Sequence, residues 1–154
     1  MTVILDADSI RACTQGTIVQ RDTATLPQST DGALFTITGG QILLLALWGE
    51  VTTVIETKAN NTKIKFNPTA TGADTDLCAA LNITGKAVGT IFSITGTVSD
   101  ALQSGLLCGN VILAKPLLLS EGDIELDCAA SSTGSVAWNI IYVALDSEGT
   151  VAAA

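Results

Sequence analysis

Glu121-Gly122-Asp123-Ile124-Glu125-Leu126-Asp127-Cys128-Ala129 alternates acidic and apolar residues. Alternation with a period of two marks a β-strand with one face in a core and the other in water. Ile124, Leu126 and Cys128 are expected inward and the acids outward. Thr62-Lys63-Ile64-Lys65-Phe66-Asn67 repeats the pattern, with Ile64 and Phe66 inward, Lys63 and Lys65 outward, and Pro68 ending the strand. Ile42 to Trp48 is instead a continuous apolar run, which fits a strand buried on both faces. Gly49 and Glu50 interrupt it before Val51 to Glu56.

The same signals recur on either side of these segments. Ala33 to Thr38, Thr90 to Thr95, Asn110 to Ala114, Leu117 to Leu119 and Val136 to Leu145 read as strands. Ala59-Asn60-Asn61 reads as a hairpin turn, because Asn tolerates left-handed backbone angles. Thr69 to Asp74 is a loop, and Asp76 to Ile83 suits a helix turn or a strand. Ser99 to Ser104 has a helix start, with Ser99 as cap and Gly105 as stop. Val151 to Ala154 is a small-residue tail. The expected fold is all-β: an antiparallel sandwich or barrel of about nine short strands. Residues 1–16 form an N-terminal arm or lead-in, and residues 17–154 a single β domain. Gly32 to Gly39 echoes Gly89 to Gly96, as two equivalent strands of one sandwich would.

Composition excludes several functions. The chain has 154 residues, 47% hydrophobic and 14% charged, enough for one domain with a real core. The apolar run at Ile42 is far shorter than the ~20 residues of a membrane-crossing helix. A net charge of −8 argues against binding nucleic acid through phosphate neutralisation. The absence of histidine removes the commonest general base and most catalytic zinc sites. No G-x-S-x-G elbow and no phosphate loop occurs. No catalytic, cofactor-binding or metal-ligating residue is therefore assigned, and the chain is read as a non-enzyme.

Cys13, Cys78, Cys108 and Cys128 contain no CxxC pair and read as small buried hydrophobes. No secretory signal is visible at the N-terminus, so the expectation is a protein made in a cytosol, with free thiols. The Asn60 and Asn82 sequons are then chance matches. Trp48, Trp138 and Tyr142 lie in apolar strands and read as core.

The acidic comb Glu121, Asp123, Glu125 and Asp127 is the strongest local feature. Three readings stand: a solvated sheet face paired across strands with Lys63 and Lys65, a docking face for a basic partner, or a calcium site. Calcium would need converging ligands from elsewhere, for which Asp74 and Asp76 are the nearest in kind. Low surface charge with many Thr, Ser, Ala and Gly residues points to a subunit whose surface is covered by neighbours.

Three segments carry a resemblance: Gly89-Thr90-Ile91-Phe92-Ser93-Ile94-Thr95-Gly96, Glu125-Leu126-Asp127-Cys128-Ala129-Ala130-Ser131 and Trp138-Asn139-Ile140-Ile141-Tyr142-Val143-Ala144-Leu145 with its Ala-rich end. Together the chain from Ala33 to Ala154 resembles small structural proteins of tailed bacteriophages, of the head decoration or capsid cement type. The resemblance implies a subunit made in the host cytoplasm. It would bind the outer surface of the virion's capsid, with the major capsid protein and its own homotrimer as partners, and reinforce the shell. It implies no cofactor, nucleic acid or membrane partner. On this reading Val3, Ile4, Leu5 and Ile10 of the arm are the candidate capsid contacts. Two alternatives remain: a phage tail tube or tail-tip subunit, with Gln41 to Glu56 as an intersubunit hairpin, and a β-sandwich module binding a glycan or cell surface.

Overall fold

A computed structural model describes residues 6–154, leaving out the side chains of Asp8, Ser9 and Cys13. It bears out the all-β expectation: one short helix is followed by two antiparallel sheets packed as a sandwich. Helix α1 (Ala7–Gln15) lies within the lead-in. It ends at Gly16, whose backbone φ of 84° suits a glycine helix stop and turns the chain into the first strand.

Sheet I contains β1 (Thr17–Thr25), β3 (Ile42–Thr53), β7 (Thr90–Ser93), β8 (Gln103–Leu106), β9 (Ile112–Leu119) and β11 (Ser135–Ala144). Their order is β1-β11-β3-β7-β8, and β9 also pairs with β3. Sheet II contains β2 (Asp31–Thr38), β4 (Asn61–Pro68), β5 (Thr75–Asp76), β6 (Leu81–Asn82), β10 (Gly122–Cys128) and β12 (Thr150–Ala153). Its order is β12-β2-β10-β4-β5, with β6 also on β4.

The core lies between the sheets. Phe35, Ile37, Ile64, Ile124 and Leu126 come from sheet II, and Ile42, Leu44, Leu47, Phe92, Trp138 and Ile140 from sheet I. Burying each large apolar side chain contributes about 1.5–3 kcal/mol. The internal echo has a counterpart here: Phe35 and Phe92, with Ile37 and Ile94, fill the core from opposite sheets. Gly39 (φ 75°) and Gly96 (φ 86°) then turn the chain in the left-handed region.

Several local expectations are corrected. Gly49 does not interrupt a strand, because β3 runs through it. A Cβ there would stand 2.8 Å from the Trp138 indole, so glycine lets the ring lie against the backbone. Asn60 is not in a hairpin turn, since β3 and β4 belong to different sheets. The residue is 1% exposed. Its side-chain amide donates to the Ala130 carbonyl (2.9 Å) and the Ser132 hydroxyl (3.2 Å), and its oxygen accepts from the Ala130 N–H (3.2 Å). Ser99 to Ser104 forms no helix. Leu102 N–H donates to the Ala79 carbonyl and Ala79 N–H to that of Asp100, so long-range bonding claims this backbone. Pro116 lies inside one strand, β9, at a sheet edge where its missing N–H is tolerated. The small-residue tail is strand β12, and the backbone N–H of Val151 donates to the Tyr142 hydroxyl (3.3 Å), linking the two sheets.

Candidate assembly surface

The two sheets present opposite chemistry outward. On sheet II, Asp123, Glu125 and Asp127 of β10 stand opposite Asn67, Lys65 and Lys63 of β4. The Lys63 ammonium pairs with Asp76 at 2.8 Å and lies 3.8 Å from Asp127. The Lys65 ammonium contacts Asp31, pairs with Asp74 at 2.6 Å and lies 3.5 Å from Glu125. Asn67 donates to the other Glu125 oxygen (3.2 Å), and the Thr36 hydroxyl donates to Asp123 (2.6 Å). Glu121 precedes the strand and is exposed.

The hydrogen bond from Lys63 to Asp76 raises its pKa above the usual lysine value, against the opposing effect of burial. Burial pulls the Lys65 pKa down, but hydrogen bonds to Asp31 and Asp74 outweigh it and the pKa is raised. Both lysines hold their charge. Asp31, Asp74 and Glu125 have carboxylate oxygens within 4.8 Å of one another, a spacing a divalent cation could bridge. The Lys65 ammonium already stands among them and supplies the positive charge. Two residues of the comb, Glu125 and Asp127, are thus paired across strands with Lys65 and Lys63, while Asp123 takes the Thr36 hydroxyl and Glu121 lies before the strand; Asp74 and Asp76 converge on the same two lysines.

Sheet I differs. Residues paired across antiparallel strands share a face, and alternate rows of this sheet point into the core, such as Val19, Ile140 and Leu47. The rows between them point outward. One row is Ile18, Ile141, Ala46 and Ile112; the next is Val143, Leu43 and Leu118. A third is Gln20, Asn139, Trp48, Ser93 and Gln103, and a fourth is Ala137, Glu50, Ile91 and Gly105. Of the residues in these rows, only Glu50 is charged. Ile18, Ile112 and Leu118 are 51%, 56% and 57% exposed. The β7–β8 hairpin and β9 share one edge of β3, and a groove of about 340 Å³ opens between them, lined by Ile91, Ile94, Gln103, Cys108 and Ile112.

This surface revises two expectations. Trp138 and Tyr142 are core residues, whereas Trp48 is half-buried on the outward face of sheet I. Cys78 and Cys128 are buried free thiols, whereas Cys108 is exposed. Burial pushes the Cys78 pKa up to about 11 and also raises that of Cys128. Gln41 to Glu56 is no hairpin, because most of it is the single strand β3 (Ile42–Thr53). Of the arm candidates, Ile10 is 50% exposed on α1. Val3, Ile4 and Leu5 lie outside the described residues. The outward residues Ile18, Leu43, Ile112, Leu118 and Ile141 were not singled out as a surface from the sequence. Their signal is the Ile42–Trp48 run, apolar at both parities of the strand.

No protein-family model, curated protein or solved structure matches the chain. Among the described residues no helix is long and apolar enough to cross a membrane.

Proposed function

We propose that this chain is a non-enzymatic virion subunit of a tailed phage, one that self-associates and stabilises the outer surface of the capsid. The observation that supports it most is the outward face of sheet I. A sandwich that works as a free monomer has no use for a second apolar sheet surface, whereas an assembly subunit buries one. The division of labour is spatial. On this reading the arm contacts the shell, sheet I meets neighbours, and the charged ladder of sheet II stays in water. The major capsid protein is the partner of the arm.

Co-sedimentation with purified empty shells tests this reading. The full chain is expected to pellet with shells, and a variant lacking residues 1–16 to stay in solution. A full chain that remains in the supernatant at every ratio refutes the reading, and equal pelleting of both removes the arm from it.

One observation favours a second reading, the glycan-binding module. Trp48 has Asn139 opposite it, with the exposed Gln20 and Gln103 further along the row and Ser93 buried between, so a half-buried aromatic ring lies among amide side chains. A glycan on that row would protect Trp48 from iodide quenching in a monomeric protein.

A further inference from the structure

We propose that the outward face of sheet I is buried against the same face of a neighbouring copy of this chain. The inference rests on the reading of the protein as an assembly subunit and names the surface and its occupant.

Area argues first. The face spans five strands, roughly 20 Å at ~4.8 Å spacing, and about eight residues from Leu43 to Glu50, roughly 27 Å at ~3.4 Å each. Two such faces bury on the order of 1,100 Å², beyond the ~1,000 Å² expected of a specific interface. The side chains are those of an interface core: Ile18, Leu43, Trp48, Ile112, Leu118 and Ile141.

Charge argues second. The chain carries −8, and the outward rows of sheet I hold one charged residue, Glu50. The outer face of sheet II of a neighbouring copy would bring its carboxylates onto apolar surface, where an unpaired charge is costly to bury. Sheet I of another copy brings almost none. Its polar row also suits self-pairing, because the amides of Gln20, Asn139 and Gln103 can donate and accept. Two outward faces meeting at ~10 Å spacing would repeat the packing that already holds sheet I to sheet II.

The rim continues the same chemistry. Leu107 is 78% exposed and sits at a φ of 57°, an unfavourable backbone region for leucine.

Light scattering after size exclusion of the full chain, without shells, tests the proposal. The wild type is expected to elute as an oligomer. The double variant Ile112→Lys/Leu118→Lys is expected to elute as a monomer with an unchanged far-UV spectrum, self-association falling roughly 100-fold for each lysine buried. Ala152→Lys, on the outward face of sheet II, is expected to keep the wild-type mass. If the double variant misfolds, Ile18→Lys on the edge strand β1 makes the same test from the other side of the face. A wild type that is monomeric at all concentrations overturns the proposal, as does a folded lysine variant that keeps the oligomeric mass. An oligomer that ignores empty shells defeats the capsid reading and leaves this one standing. A monomer that binds shells does the reverse.

Discussion

Replacing Lys65 by methionine tests the account of the charged face quantitatively. Lys65 is 8% exposed and stands among Asp31, Asp74 and Glu125. Glu125 is 9% exposed, and its Oε2 has no hydrogen-bond donor among the described residues. Without the ammonium, three carboxylates face one another within 4.8 Å. At an effective dielectric near 20, two such charges repel by about 3–4 kcal/mol. The side chains of Asp31 and Asp74 are 41% and 40% exposed and can turn into water, which removes much of that repulsion. Glu125 cannot, and taking away the ammonium 3.5 Å from its Oε2 leaves a buried charge without its partner, at a cost of about 3 kcal/mol. Lys65→Met is therefore expected to lose about 2–3 kcal/mol in urea unfolding at pH 7, a fall in Tm of about 5–10 °C. Lys63→Met is the internal control. The Lys63 and Asp76 side chains are 29% and 44% exposed, so that pair is worth about 0–1 kcal/mol. Adding Glu125→Gln to Lys65→Met removes the stranded charge and is expected to recover at least about half of the loss. A Lys65→Met loss below about 0.5 kcal/mol would falsify the account, and so would a double variant no more stable than the single.

Alkaline pH supplies a second test. The folded pKa values of Cys78, Cys128, Lys63 and Lys65 are all raised. Each contribution is therefore complete below the group's unfolded pKa and is lost as pH climbs through the folded one. Cys78 acts between its ordinary value of 9.0 and about 11, a loss of about 2–3 kcal/mol. Urea midpoints measured from pH 7 to pH 11 should fall over that window, and less steeply in Cys78→Val; a flat curve contradicts the burial argument. In a Cys13→Ser background, a thiol reagent should label Cys108 at once and reach Cys78 and Cys128 only on unfolding, whereas rapid native labelling of three thiols would mean an open core.

What the sequence discloses depends on whether local alternation or distant contacts set the structure. Thr62 to Asn67 is legible residue by residue, because strand parity alone sends Ile64 and Phe66 inward and the lysines outward. The pairing of Glu125 and Asp127 with Lys65 and Lys63 follows from the same parity, and Asp74 and Asp76 join through the short loop after Pro68. Ser99 to Ser104 misleads because the cap signal is genuine but weak. The Thr95 hydroxyl donates to Asp100 at 2.7 Å, and the backbone bonds across to Ala79 instead of along a helix turn. Gly49 misleads for a related reason. Glycine in a strand reads as a break, and the Trp138 indole and the Val136 side chain, 89 and 87 residues further on, explain it. Cys108 reads like Cys78 in composition, yet one lies in a turn after an edge strand and the other beneath β4.

The run Ile42 to Trp48 joins these levels. Apolar residues at both parities predict a strand covered on two sides, yet a two-layer sandwich covers each strand on one side only. In this fold the core takes Ile42, Leu44 and Leu47, while Leu43, Leu45 and Trp48 remain half-buried. Sheet II faces the same choice and resolves it with the ladder of lysines and carboxylates on its outer side. No such ladder forms on β3, whose outward row neighbours on β11 and β9 are Ile141, Val143, Ile112 and Leu118. An expectation of burial that four neighbouring residues share is a property of the surface and not an accident of one position. The covering layer it calls for is therefore best supplied by another chain, and a lysine at Ile112 or Leu118 should cost assembly far more than it costs folding.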